Sequence, residues 1–350
     1  MSDNPYSLLF GKLPSELISR TVEINRIIDD FNNKISPQQV YMITGVRGSG
    51  KTVLMTEISR KLLKNKNWVV VDLSTEKDML EMLGASLSSE KQFAKLFQTA
   101  EINLSFFGFG LKVQGSVPIT NIEIALTKML EELKKKGKKV LVTIDEAINN
   151  QHMRTFISSF QILIRKELPI YLLMTGLYEN IENIQNEKNL TFLYRAPKIE
   201  LESLNYSAMA ENYLSHLPVD EMKAREMARN TKGYSFAFQV LGYLSYENGG
   251  YTKKVLQQYK EYLGRYSYEK IWSELSGNDK KVCYQIAKSK DGSVREIKQL
   301  LGYETNQINP YRRRLIRKGI VNGKKYGYLS FTLPYFDEFV IDTYEIENSV

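Results

Sequence analysis

The sequence predicts an α/β protein: a parallel sheet carrying an inserted β-hairpin, then a helical segment, then a C-terminal winged helix. Three observations predict it. Short apolar runs alternate with amphipathic helical patterns up to about residue 200. From Tyr206 to about Tyr268 the pattern is helical with no strand-like run of any length. After Ser276 three helical stretches lead into a glycine-punctuated ribbon, Val321–Leu333. The boundaries expected are 1–204 for the α/β domain, 205–268 for the helical domain and 269–350 for the winged helix.

Taken in order, Val40–Thr44, Trp68–Leu73, Val140–Ile144, Ile170–Thr175 and Lys198–Leu201 read as strands. Strands that are apolar throughout, with helices such as Val53–Leu63 and Ile122–Lys136 among them, belong in a parallel sheet covered on both faces. The second connection is long and contains INLSFFGFGLKVQGS (102–116), whose alternation around Gly108 and Gly110 predicts the hairpin. KKKGKK (134–139) reads as a solvated helix end before the third strand.

Composition narrows the function classes. A chain of 350 residues exceeds what one core usually serves, and 43% hydrophobic with 25% charged residues is a globular balance. No apolar run approaches a membrane span, and the opening MSDNPYSLLFG lacks a signal-peptide pattern. The lone Cys283 cannot form an intramolecular disulfide, so a cytoplasmic location without a membrane partner is expected. His152 and His216 with that cysteine give no metal-ligand spacing and no nucleophile triad.

The chemistry is concentrated in one loop. GVRGSGKT (45–52) satisfies G-x-x-x-x-G-K-[ST], with an apolar strand before it and an amphipathic helix after it. Glycines let successive N–H groups point at one anion, and the helix start adds its positive dipole end. Gly45, Val46, Arg47, Gly48, Ser49, Gly50, Lys51, Thr52 and Val53 are therefore the nucleotide-binding set. Lys51 reaches the β- and γ-phosphates, and Thr52 offers a hydroxyl to Mg²⁺. KVLVTIDEA (139–147) ends an apolar strand in two carboxylates. Asp145 is the second metal residue, and Glu146 the group that polarises the attacking water. Thr175, at the end of YLLMTG (171–176), either faces the γ-phosphate or is a threonine favoured for its β-branching. Arg195 is either a finger onto a neighbouring subunit's phosphates or a surface ion pair.

These motifs in this order resemble the AAA+ P-loop ATPases, above all the bacterial and archaeal group related to origin-recognition initiators and to STAND switch ATPases. The lead-in NPYSLLFGKLPSELISRTVEI (4–24) resembles that group's opening, which implies adenine contacts from Leu9, Phe10 and Pro14, with Arg20 before the first helix. IDEA resembles its second acidic motif and MTG its polar position on the fourth strand. The chain departs from the initiators at TKGYSFAFQVLGYL (231–244), where Phe236 stands near the place of a sensor arginine. That stretch is closer to the STAND pattern Gly-x-Pro, with Ser235 at the proline, which implies a slow nucleotide-gated switch; Arg225 and Arg229 are the candidate substitutes.

The positive charge is local. Between Asn278 and Leu329 there are 13 Lys/Arg against 4 Asp/Glu, whereas five acids and no Lys/Arg follow. Gly277–Ser289, Val294–Leu301 and Thr305–Lys318 read as the helices of the winged helix, and NGKKYGYLSF (322–331) as its wing. At 100° per residue Asn306, Asn309, Arg313 and Arg317 share a face of the third helix, with Arg312 beside it and Lys324 and Lys325 at the wing tip. Such a face suits duplex DNA, mostly through phosphates, with Asn306, Gln307 and Asn309 as base-edge readers. The function expected is that of an ATP-binding, slowly hydrolysing protein using ATP/ADP and Mg²⁺, whose nucleotide state gates DNA binding or assembly, as a homo-oligomer or with a regulatory protein. The alternative is a signalling or defence switch whose winged helix is a protein-contact or autoinhibitory module.

Overall fold

The structure, a computed structural model, describes residues 3–9, 14–109, 117–188 and 190–349. Contacts divide the chain into two units. One comprises Arg20–Thr44 with Lys51–Glu200; the other comprises Met1–Ser19, Gly45–Gly50 and Leu201–Val350.

The α/β unit contains strands β1 (Val40–Thr44), β2 (Trp68–Leu73), β3 (Lys139–Ile144), β4 (Ile170–Gly176) and β5 (Lys198–Glu200). They form a parallel sheet in the order β2-β3-β4-β1-β5. Consecutive residues of β1 and β4 are all buried, so both sheet faces are covered, as their unbroken apolar sequences require. Helices α1 (Thr21–Asn32), α2 (Lys51–Leu63), α3 (Met79–Ser89), α4 (Lys91–Thr99), α5 (Ile122–Lys135), α6 (Gln151–Arg165) and α7 (Tyr178–Gln185) do the covering. Ile58, Leu83, Met129, Phe156 and Phe160 are each fully buried, a gain of about 1.5–3 kcal/mol apiece for side chains of this size. Asp78, Asn121 and Asn150 cap α3, α5 and α6 by accepting backbone N–H bonds.

The hairpin predicted for 102–116 is absent from its described part. Ser105–Phe107 is a 3₁₀ turn, Gly108 takes a left-handed conformation (φ 72°), and residues 110–116 lie outside the described residues. The reason is Asn103. Its buried side-chain oxygen accepts both the N–H and the Oγ of Ser105, turning the chain where an alternating strand would have run on. Ile102 and Leu104 are held by the core on either side of it.

The second unit is helical: α8 (Tyr206–His216), α9 (Glu221–Asn230), α10 (Ser235–Glu247), α11 (Lys253–Leu263), α12 (Glu269–Ser273), α13 (Gly277–Lys288), α14 (Val294–Leu301) and α15 (Thr305–Arg317). An antiparallel pair, β6 (Val321–Asn322) and β7 (Ser330–Phe331), follows, with a bridge from Ser293 to Tyr328 beside it. The chain then forms α16 (Phe336–Asn348), which the sequence reading left without structure. One core runs through the unit, from Tyr6, Tyr213 and Phe238 to Tyr268, Val282, Leu315 and Phe336. Between α11 and α12 the residues Gly264–Tyr268 make a π-helical turn. α16 lies along α13, where its carboxylates meet the lysines: Glu347 pairs with Lys280 (3.0 Å) and Glu345 with Lys288 (3.4 Å).

Arg314 holds α15 to α13. Its Nε and Nη2 donate to the buried carboxylate of Asp279 at 2.7–2.9 Å, and Ser276 Oγ donates to the same group. Removing the guanidinium strands a buried charge. We therefore expect Arg314→Leu to cost about 3 kcal/mol in a denaturant melt, the order found for breaking a buried pair. A loss below about 0.5 kcal/mol, within the range of ordinary surface changes, would contradict this account.

Candidate functional site

Sheet register sets the site. β4 lies between β1 and β3, with Ile43 opposite Thr175 and Ile144 opposite Met174. Thr175 thus stands at the carboxyl end of the sheet, between the strand that enters the glycine loop and the strand that ends in the two acids. In open α/β sheets this end is where ligands sit. Thr52 Oγ1, in the first turn of α2, donates to Asp145 Oδ2 at 2.8 Å, and Thr175 Oγ1 donates to Asp145 Oδ1. Thr52, Asp145 and Thr175 are therefore together on one carboxylate. Thr175 is fully buried and hydrogen-bonded, which goes beyond a threonine kept only for strand propensity.

Glu146 follows with φ 51°, a left-handed conformation costing a non-glycine residue roughly 1 kcal/mol. Its N–H is held by Asp145 Oδ1 at 3.1 Å and by Thr175 Oγ1 at 3.4 Å, and its side chain is exposed. Strain of this kind concentrates at functional sites. Lys51 and Val53 lie in the first turn of α2.

The loop itself turns tightly. Val46–Ser49 is closed by Ser49 N–H on Val46 O (3.2 Å), and Gly48 and Gly50 have φ 75° and 93°. Three successive loop carbonyls are bonded from the start of α10. Tyr234 Oη donates to Arg47 O at 2.7 Å, Phe236 N–H to Gly48 O at 3.1 Å, and Ser235 Oγ to Ser49 O at 2.8 Å. Burial raises the Tyr234 phenol pKa, so the hydroxyl stays a donor. Arg47 pairs with Glu274 at 3.5 Å, and Val46 packs on the helical core. Ser49 Oγ is buried and has no hydrogen-bond partner among the described residues, a donor that suits an anion.

Other expected residues are dispersed. Arg195 is exposed in the 3₁₀ turn Thr191–Arg195 before β5. Phe10 lies outside the described residues, and Leu9 is 65% exposed. Arg225 is held by Glu221, one turn away on α9. In the C-terminal part Asn306, Arg313, Arg317, Lys324 and Lys325 are exposed, while Asn309 and Arg312 are half-buried. Gln307 is corrected: its side chain accepts Glu304 N–H at 2.7 Å in a capping box and is committed to starting α15. Tyr234 and Ser267, whose Oγ meets Tyr234 Oη at 2.9 Å, are residues the sequence does not place at the site, whereas Ser235, which the resemblance puts at a nucleotide-sensing position, bonds the loop.

Fold and loop together define the class: a nucleotide-binding ATPase with a parallel α/β sheet and a P-loop. The chain belongs to the family described as an ATPase domain predominantly from Archaea, whose profile matches residues 17–234, more than half its length. Residues 265–340 match a domain of unknown function, DUF8462. Among solved structures, the Walker-type ATPase PABY2304 of Pyrococcus abyssi is similar with a TM-score of 0.68 at 14% identity, over 93% of this chain and 96% of that one. The ORC2 protein of Aeropyrum pernix, in its ADPNP–ADP complexes, gives 0.61 at 13% identity over 98% of each chain. No curated protein matches in sequence. Among the described residues no helix is long and apolar enough to cross a membrane.

Close approach fixes one glycine. A Cβ on Gly48 would lie 2.3 Å from Tyr234 Oη and 3.0 Å from Phe236 Cβ, on a backbone that already disfavours L side chains. Gly48→Ala should lower stability by roughly 2 kcal/mol or more, read from a thermal melt, because strain and overlap add. Gly108→Ala, with φ 72° and no atom of the described residues within 4 Å of an added Cβ, should cost only the backbone part, about 1 kcal/mol.

Proposed function

We propose that this protein binds ATP with Mg²⁺, hydrolyses it slowly, and uses its nucleotide state to gate duplex-DNA binding or assembly through a winged helix at residues 276–333. The observation that carries the nucleotide half is the Thr52 hydroxyl seated on the Asp145 carboxylate at 2.8 Å. A hydroxyl at the helix start after the glycine loop and a carboxylate at the end of β3 are the oxygen pair Mg²⁺ takes beside a nucleotide's phosphates. The cation prefers one or two protein oxygens plus phosphate and water.

Roles follow from position. Loop N–H groups and the α2 dipole receive the phosphates, and Lys51 offsets their charge. Bound Mg²⁺ would supply further charge neutralisation between the phosphate oxygens. Thr175 orients the water or the γ-phosphate from the sheet edge, and Glu146 accepts the water's proton. Adenine is favoured by the ADPNP–ADP complexes named for the Aeropyrum pernix protein. Slow turnover is supported by α10, where Ser235 and Phe236 bond loop carbonyls at the place an initiator-type sensor arginine would occupy. In a homo-oligomer the exposed Arg195 would serve as the finger.

The DNA half rests on exposed charge. The order helix, bridge, helix, helix, ribbon supports a winged helix, and the outward Asn306, Arg313, Arg317, Lys324 and Lys325 are accessible to a duplex. Tyr326, 96% exposed at the ribbon tip, and Lys325, stacked 3.8 Å over Tyr328, add a wing of the right chemistry. Accessibility of this face favours DNA over an autoinhibitory module, which would cover it.

The test is duplex binding by the full-length protein with ATP, ADP or no nucleotide across a salt series. Affinity should fall with salt and change with nucleotide, and Lys51→Ala should remove the nucleotide effect. Arg313→Ala and Arg317→Ala should each reduce the salt slope by about one phosphate contact. Salt-independent or absent binding in every state would refute the DNA half. For the chemistry, Glu146→Gln should keep ATP affinity and lose at least ~100-fold in single-turnover phosphate release. Equal release by variant and parent would remove Glu146 from its role.

A further inference from the structure

We infer that Tyr234 and Ser235 are positioning residues that clamp the phosphate loop into its anion-receiving form, so nucleotide affinity is set from the start of α10. The inference rests on the nucleotide reading above and deepens it. In a trans peptide the C=O and N–H lie in one plane and point in opposite directions. Fixing the carbonyls of Arg47, Gly48 and Ser49 therefore fixes the N–H groups of Gly48, Ser49 and Gly50. Ser49 N–H is turned back onto Val46 O, which leaves Gly48 and Gly50 N–H as the two the clamp aims away from α10.

Both aiming bonds are made by side chains. Tyr234 Oη reaches Arg47 O at 2.7 Å, and Ser235 Oγ reaches Ser49 O at 2.8 Å. Between them the backbone bond from Phe236 N–H to Gly48 O keeps the register. Tyr234 is braced in turn. Its hydroxyl also meets Ser267 Oγ at 2.9 Å, and Ser267 lies in the π-helical turn Gly264–Tyr268. That turn places Ser267 at Tyr234, while the next residue, Tyr268, donates to Pro334 O at 2.5 Å beside α16. π turns are costly insertions that persist mostly where a side chain must be re-aimed for function. Here the turn ties the loop's clamp to the C-terminal module within a single core.

The experiment measures ADP affinity by calorimetry, well below the melting temperature, for the parent, Tyr234→Phe, Ser235→Ala and Lys51→Ala, with melting curves of each nucleotide-free protein. Expected is a loss of about tenfold in affinity for each clamp variant, the scale of one hydrogen bond, with the fold intact by circular dichroism. A merely structural role would shift the melting curve and leave the Kd alone. If Tyr234→Phe does not fold, Ser235→Ala decides, because its helix keeps its backbone bond to Gly48. Clamp variants within about twofold of the parent, while Lys51→Ala fails to bind, would overturn the clamp and spare the nucleotide reading. A parent that does not bind ADP would overturn both.

Discussion

Peptide geometry in the glycine loop is the constraint on which the remaining structure depends. A loop that turns several N–H groups toward one anion must turn the matching carbonyls outward, and buried carbonyls need donors. In this chain the donors come from Tyr234, Ser235 and Phe236, at the start of one helix. The loop residues Gly45–Gly50 accordingly group with the helical unit, although the strand before them and the helix after them belong to the sheet. Glycine at 48 follows from the same constraint: the tyrosine hydroxyl occupies the space a side chain would need.

A second economy operates at the sheet's carboxyl end. Asp145 is one residue beyond β3, and both of its oxygens are used, by Thr52 from the helix start and by Thr175 from β4. Both bonds come from neutral hydroxyls. The left-handed Glu146 is the next residue, and its strain is bearable because its own N–H is anchored by the same carboxylate. The placement of Glu146 and of the two hydroxyls thus depends on one side chain.

Much of this was legible from the sequence. The five strands, the loop and the acidic pair each announce themselves by local chemistry: unbroken apolar runs, fixed glycine spacing, carboxylates at a strand end. What failed was non-local or hidden in one side chain. Asn103 turns a segment whose alternation reads as a hairpin, because a single buried amide outweighs a period-two pattern. α16 was missed because its apolar and acidic residues find their partners on α12 and α13, through Trp272, Lys280 and Lys288, and these lie far away in sequence. The clamp was half visible: GYS at 233–235 stood out as a departure from the initiators, but only the fold puts its hydroxyls on the loop carbonyls.

The same distinction reshapes the charge argument. Counting 13 cations against 4 acids over 278–329 overstates the field a duplex would meet. Lys280 and Lys288 answer the acids of α16, and Arg314 is spent on the buried Asp279. Of the other cations, Arg313 and Arg317 are exposed on α15, Lys324 and Lys325 on the ribbon, and Lys290 and Arg295 before and on α14, with Lys324 also 3.6 Å from Glu202. Thus the acidic C-terminal helix, which looks like a counterweight in the sequence, answers two lysines of α13 directly and leaves exposed cations on α14, α15 and the ribbon.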